Sequence, residues 1–421
     1  MRGSPGNTRL KAARQHAGFA SQQAFADALT RAASRIGLGH IEVSTRQVRR
    51  WESESPPWPR ADHQRLLVHV LGLPVEQLGF TPPWAAGTQS ADNRSSADAI
   101  NPGGRALPFP AAAAGVQPPT IGADYMAITV THRRLYWTVQ PAHLHPAVAE
   151  HARLGTYLLA ETSGVTRRVL AGALAESLLL VGRIEFFDLR QPTDAETSFV
   201  RALQAAGEAD DPLLGAAVLA HAAFIPGWAK RRDGAIERLQ AARTYARRGP
   251  ASAEFLAWID AVEAECETRC DRPREGLRLI ARAEKTLGEA KNDKSPDWFN
   301  WFSPVRLAAF KGNTELKAGH LAQAHNTLSA VLESLPADEA KQRTVILGDL
   351  AVIEAGRKKP EQACAYAQRA LDQLARTWYA TGMDRVTEAR RALQAWADTE
   401  HVRALDDRIY GWQTTLRALQ H

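Results

Sequence analysis

The chain has 421 residues, of which 45% are hydrophobic and 23% charged, and a formal net charge of +6. This is an ordinary composition for a soluble globular protein, and the length allows about two to four domains. It excludes a membrane-spanning run of some 18 apolar residues, a secretory signal behind the M-R-G-S-P-G-N terminus and, with only three cysteines, a disulfide framework. A reducing, cytoplasmic setting is expected.

The charge is unevenly placed. Residues 1–84 hold eleven Lys and Arg against six Asp and Glu, an excess of five, while the remainder is close to neutral. A small basic module on a neutral body is the electrostatic footprint of a nucleic-acid binder.

A helical pattern opens at Asn7, with Leu10, Ala13 and Ala17 on one face and Gly18 placed to end it. Ser21 caps a second helix whose apolar face is Ala24, Phe25, Ala28 and Leu29. A turn with Gly37 and Gly39 covers 34–43, and it is longer than a tight helix-turn-helix connection. Then comes S-T-R-Q-V-R-R-W-E, Ser44 to Glu52. Ser44 is an N-cap, and Gln47 stands where its side chain completes a capping box. Val48 and Trp51 share one buried stripe, leaving Thr45, Arg46, Gln47, Arg49 and Arg50 to project. Such a front suits the major groove, where Arg pairs with guanine, Gln with adenine and a Thr methyl touches thymine. Pro56, Pro57 and Pro59 break this helix. Ala61 to Leu71 forms another, carrying Leu66, Leu67, Val70 and Leu71, and P-V-E-Q-L-G-F closes the unit as a fifth element.

On R-x-x-x-G at the end of the first helix, S-Q-Q-x-F-A opening the second and S-T-R-Q-V-R-R-W-E opening the third, residues 7–80 resemble a helix-turn-helix domain of the XRE (Cro/C1-type) family. The resemblance implies that Gln22 hydrogen-bonds the DNA backbone, that Thr45, Arg46, Gln47 and Arg50 face base edges, and that Glu52 is structural. Together with Ser44 and Arg49, these are the candidate DNA-binding residues.

From 85 to 120 the sequence turns to Ala, Gly, Pro and Ser, which cannot bury enough surface to offset the entropy of ordering. A flexible linker is expected there, joining a head at 1–84 to a body at 121–421. The body is helical by pattern; even the β-branched segment 121–140 spaces Ile121, Tyr125, Ile128, Leu135 and Val139 as a helix does. A repeat then emerges: A-E-T-S-F-V-R-A from Ala195, A-I-E-R-L-Q-A-A from Ala235, G-L-R-L-I-A-R-A from Gly276, A-H-N-T-L-S-A-V from Ala324 and A-C-A-Y-A-Q-R-A from Ala363. These units start 40, 41, 48 and 39 residues apart. Small residues seven positions apart flank Phe199, Leu239, Ile280, Leu328 or Ala367, with Val331 taking the second small position in the fourth unit. A period of this size points to a solenoid of helix pairs. The spacing resembles the second helix of a tetratricopeptide repeat, though the period exceeds that repeat's ~34 residues; the body is TPR-like. The fold class expected is therefore all-α: a five-helix head, a flexible linker and a TPR-like α-solenoid.

No P-loop, G-x-G-x-x-G, H-E-x-x-H or G-x-S-x-G motif is present, so no catalytic residue, cofactor or metal is expected. His143 and His145 read as a surface pair at a helix start, and Cys266 and Cys270 as packing residues. The stretch S-P-D-W-F-N-W-F-S-P, Ser295 to Pro304, concentrates aromatics. They fill a core or an interface between copies, or else line a ligand pocket with Trp298, Asn300, Trp301, Arg306, Asn313, Trp378 and Tyr379 as its candidate residues.

The resemblance implies a sequence-specific transcription regulator. Its partners are double-stranded DNA, a second copy of the chain as a homodimer, and a peptide or small-molecule effector, with no membrane partner. It would work in the cytoplasm, on the nucleoid when bound to DNA. The competing expectation is a protein-interaction scaffold whose head makes only nonspecific or localising contact with DNA.

Overall fold

The computed structural model describes residues 6–36, 38, 41–54, 56–73, 75, 78–80, 117–289, 294–336 and 339–419. All regular structure among them is helical, as the sequence pattern predicts. The chain divides into two compact units, Met1–Asn101 and Pro102–His421. The expected linker, apart from 117–120, lies outside the described residues.

The head contains α1 (Thr8–His16), α2 (Gln22–Arg35), α3 (Thr45–Trp51) and α4 (Ala61–Leu71). Each of the first three begins where a side-chain oxygen accepts a free amide. Asn7 accepts from Leu10 at 3.1 Å, Ser21 from Ala24 at 3.0 Å and Ser44 from Gln47 at 3.2 Å. Gly18, at φ 85°, takes the chain out of α1 through the left-handed region. Only four helices are described rather than five. After α4 a turn is closed by the Leu78 amide on the Val75 carbonyl at 3.1 Å, and the other residues of the expected fifth element, 74, 76 and 77, lie outside the described ones.

Leu10, Phe25, Leu29, Val48, Trp51, Leu66, Leu67 and Leu78 form the head's core. Each contributes on the order of 1.5–3 kcal/mol by leaving water. The face of α2 differs from the expected one. Ala24 is exposed and Ala26, Ala32 and Ala33 are buried, because α2 packs against both α3 and α4 and needs a wider stripe than one contact would.

In the body, α5 (Ile121–Leu135) and α6 (Pro141–Ala160) precede five helix pairs: α7 (Gly164–Arg183) with α8 (Pro192–Glu208), α9 (Pro212–Trp228) with α10 (Arg232–Ala246), α11 (Ala253–Arg269) with α12 (Pro273–Gly288), α13 (Pro304–Lys317) with α14 (Leu321–Ser334), and α15 (Ala340–Gly356) with α16 (Pro360–Arg376). A π-helical turn, Ile184–Asp188, extends α7, and α17 (Ala380–Ala392) and α18 (Glu400–Leu419) follow the pairs. No helix among the described residues is long and apolar enough to cross a membrane. The segment 121–135 is helical as expected, but Ile128 and Leu135 are exposed. Tyr125 is buried as expected and Thr129 is buried with it, with hydrogen bonds from the Tyr125 hydroxyl to the His151 carbonyl (2.8 Å) and between the Thr129 and Ser177 hydroxyls (3.0 Å). A partly polar buried face is invisible to a reading by hydrophobicity.

The repeat has a common turn. Each pair reverses through one left-handed residue: Arg190 (φ 59°), Lys230 (57°), Asp271 (60°), Gly319 (81°) and Lys358 (61°). Each lies five positions before the first small residue of its unit, so the sequence spacing is the spacing of the turns. The next residue returns its amide to a carbonyl of the first helix: Arg231 to Pro226, Arg272 to Glu267, His320 to Glu315 and Lys359 to Glu354, all at 2.8–2.9 Å. That bond satisfies an end-of-helix acceptor. In the first pair the π-helical turn inserts one residue and Gln191 reaches Glu185 instead. The small residues at the repeat positions are buried, as are Phe199, Leu239, Ile280, Leu328 and Ala367 between them. The helices of a pair approach closely: a Cβ on Gly182 would lie 2.6 Å from the Phe199 ring, and one on Gly312 would lie 2.4 Å from Leu328.

The first helices of the pairs also pack on one another in order, α7 on α9, α9 on α11, α11 on α13, α13 on α15 and α15 on α17. The row then closes, because α17 packs on the π-helical turn that ends α7. Gln140 donates to the Arg376 carbonyl at 2.7 Å and accepts from the Trp378 amide at 2.9 Å. The Trp378 indole donates to the Asp188 carbonyl at 3.1 Å, Thr381 donates to the Phe187 carbonyl at 2.9 Å, and Arg190 pairs with Asp384. The solenoid is thus fastened end to beginning.

Candidate functional site

In the head, α3 presents a basic face. Val48 and Trp51 are buried while Arg46, Arg49 and Arg50 are exposed, with Thr45 and Gln47 half-buried beside them. Among the described residues no carboxylate lies within 4.0 Å of these three guanidiniums. The Ser44 cap is present, whereas Gln47 makes no return bond to the Ser44 amide among the described residues. Thr45 donates to Gln23.

The orientation of α3 is set by Glu52. Its carboxylate accepts from Arg14 Nε at 2.7 Å and from Gln22 Nε2 at 2.6 Å, and the Arg14 and Glu52 side chains are only 4% and 6% exposed. Arg14 also donates to the Phe19 carbonyl at 2.6 Å. Gln22 in turn accepts from Arg49 Nε at 3.3 Å. One chain of bonds therefore runs from α1 through the end of α3 to the start of α2 and back to an exposed arginine.

In the body, the first helices surround a cavity of ≈ 160 Å³. Residues of α7, α9, α11, α13, α15 and α17 line it, together with the chain after α5 and the loop before α13; no second helix of a pair does. Of the expected pocket residues, Trp301, Arg306, Asn313 and Tyr379 line the cavity. Three do not. Trp298 is buried against Phe255 and stacks on Trp301 at 5.7 Å, Asn300 is exposed, and Trp378 is committed to the Gln140 and Asp188 bonds that close the solenoid.

Charged groups make up much of the wall, and apart from Arg306 the sequence reading missed them. Lys341 pairs with Asp188, which also accepts from the Tyr136 hydroxyl at 3.1 Å. Burial pushes Asp188 up and Lys341 down, each against the hold of the other. Arg306 pairs with Glu339 at 2.7 Å and lies 4.5 Å over the Trp137 ring. Arg385 lies 3.3 Å from both Asp349 and Glu388, and these carboxylates together with Glu265 outweigh its burial and raise it above the usual arginine value. Asn313 donates to Asp349 at 3.0 Å. Burial, then the Arg183 guanidinium, push His221 down to about 3, so it is neutral at physiological pH. Three of the groups, Arg183, His221 and Asp349, sit in apolar stretches: L-L-L-V-G-R, H-A-A-F-I and V-I-L-G-D-L-A-V-I. A charge or imidazole inside such a stretch was the available signal. His143 is exposed and His145 lies 3.0 Å from Glu185, and no group of three His, Cys, Asp or Glu among the described residues is placed to hold a metal.

No family model matches the chain. No curated protein matches it either. Among solved structures, it is similar to the crystal structure of BtubC (BKLC) from P. vanneervenii at 14% identity and a TM-score of 0.39, over 56% of this chain and 92% of that one. So slight a likeness assigns neither a fold nor a role.

Proposed function

We infer that the chain is a sequence-specific DNA-binding transcription regulator, with the head as reader and the TPR-like body as dimerising and effector-sensing unit. The observation that carries this reading is the face of α3: three exposed guanidiniums with no carboxylate within 4.0 Å among the described residues, on a capped helix fixed from behind by Glu52. Exposed arginines in a protein's own ion pairs would have to give them up to contact DNA; these do not. Arg46, Gln47 and Arg50 are assigned to base edges, and Gln22 and Arg49 to phosphates. One head offers few phosphate contacts, so two are expected on half-sites about 34 Å apart or a multiple of that. Exposed Ile128, Leu154, Tyr157 and Val165 on α5–α7 give the body apolar surface for a second copy. The fastened solenoid favours a regulator over a peptide scaffold, which needs an open concave groove.

The test is selection of bound fragments from random duplex DNA by the full chain at about 150 mM salt. An enriched inverted repeat is expected. Arg46→Ala then lowers discrimination at one base position by about 1–3 kcal/mol. Binding without enrichment that fades with added salt would favour the scaffold with a nonspecific head.

A further inference from the structure

Among the described residues that line the cavity, one cation stands without an ion-pair partner. Arg183 ends α7 and is 9% exposed. Its guanidinium carbon lies 4.8 Å from the Tyr136 ring centre and 4.9 Å from that of Trp301, and its Nε has no hydrogen-bond partner. Among the described residues no carboxylate stands within 4.0 Å of it. Each other cation on the wall has its own anion: Lys341 has Asp188, Arg306 has Glu339 and Arg385 has Asp349. A buried unpaired charge is costly, and proteins ordinarily pair it.

Arg385 Nε and Asp349 Oδ1 on the same wall also lack a hydrogen bond but face each other as an ion pair at 3.3 Å, whereas the buried indole N–H groups of Trp301 and Trp228 have no acceptor. Beside the guanidinium the unmet demand is for an anion. The rest of the wall carries two aromatic groups, Trp258 with Trp301 (ring centres 5.9 Å apart) and Phe187 with Phe224 (5.2 Å) and Trp228 (5.7 Å). The volume, ≈ 160 Å³, matches the ~150 Å³ that holds a benzene-sized molecule. It is too small for a folded partner or a long peptide segment.

We propose that this cavity binds a small aromatic carboxylate, with the carboxylate on the Arg183 guanidinium and the Trp301 indole N–H and the ring among Trp258, Phe224 and Trp228. A free aromatic acid and the C-terminal aromatic residue of a peptide carry the same chemistry. That such a ligand acts as an effector rests on the DNA-binding reading; its binding does not. The assay therefore contains no DNA, and its failure would leave the head's assignment standing.

Calorimetric titration of the full chain with benzoate, phenylacetate and indole-3-acetate, each beside its primary amide, tests this. At least one acid should bind with a Kd below about 1 mM and about tenfold or more tighter than its amide, a difference of some 1.4 kcal/mol. Arg183→Met should abolish that preference, Arg183→Lys should keep part of it, and Trp301→Phe should weaken the acid with little effect on the amide. Thermal unfolding of each variant shows that the body is intact, and the Trp301→Phe arm remains if Arg183→Met fails to fold. Acetyl-Gly-Gly-Phe beside its C-terminal amide distinguishes the sources: preference for the free tripeptide with no binding of the small acids assigns the same site to a peptide end. Equal affinity for acid and amide in both series, or an acid preference that survives in Arg183→Met, overturns the proposal, as does no binding of any of these probes below about 1 mM.

Discussion

Replacing Glu52 by Ala should destabilise the head as a whole rather than only disturb the exposed face of α3. The substitution leaves Arg14, 4% exposed at its side chain, without its carboxylate 2.7 Å away, and releases Gln22 from its 2.6 Å bond. Removing one partner of a buried ion pair costs about 3–5 kcal/mol. Over the stretch 7–80, about 0.05–0.15 kcal/mol per residue gives a total stability of roughly 4–11 kcal/mol. Between about a quarter and all of it is therefore lost. Arg14 keeps only the Phe19 carbonyl, which satisfies one N–H and none of the charge. Hydrogen exchange followed separately for α1–α4 and for the body should show protection collapsing in the head alone, with DNA affinity falling in parallel. Arg14→Met with Glu52→Leu should recover most of the protection, since neither charge then stands alone. If Glu52→Ala changes head protection by less than about 1 kcal/mol, or if the double variant is no better than the single one, the pair does not hold α3 in place.

In the body, Lys341→Met leaves Asp188 buried and unpaired and should cost about 3–5 kcal/mol, read as a lower thermal midpoint. Burial already raises Asp188, and loss of Lys341 raises it further, so the folded state holds that proton to higher pH than the unfolded chain. Stability is then lost as pH rises through the folded value, and the deficit should be smaller at pH 5 than at pH 8. Gly182→Ala puts a Cβ 2.6 Å from the Phe199 ring and should destabilise the body by about 1–3 kcal/mol. Helix propensity alone would stabilise it by up to ~1 kcal/mol, so the sign of the change in midpoint decides between the two effects.

The repeat was legible because its marks are local. A left-handed turn residue, a small residue five positions on and a second small residue seven beyond that are all set by one hairpin's geometry. The stripe of Val48 and Trp51 was legible for the same reason. Part of the cavity was legible through its aromatic loop, which gave Trp301 and led on to Arg306 and Asn313. The rest includes Arg183, Lys341, Asp349 and Arg385, single residues on α7, α15 and α17. They meet only because the row of helices closes, and no pattern along the chain records closure. Trp378 was misplaced for this reason: an aromatic beside Tyr379 reads as pocket wall, yet its indole is spent on the Asp188 carbonyl.

That same fastening alters the accounting of stability. An open array of helix pairs behaves as a row of links, each holding only its neighbours, so its ends fray first. Here the last link grips the first through Gln140, Asp188 and Asp384, and there is no free end to peel within that circuit. Opening at the clasp breaks contacts made by residues some 190 to 240 positions apart, and it bares the cavity wall as well. A molecule seated in the cavity would hold the clasp shut, and whatever holds the clasp shut would tighten the molecule's grip by the same factor. The clasp would then serve as the body's latch, with occupancy of the interior and rigidity of the whole circuit as two readings of one equilibrium.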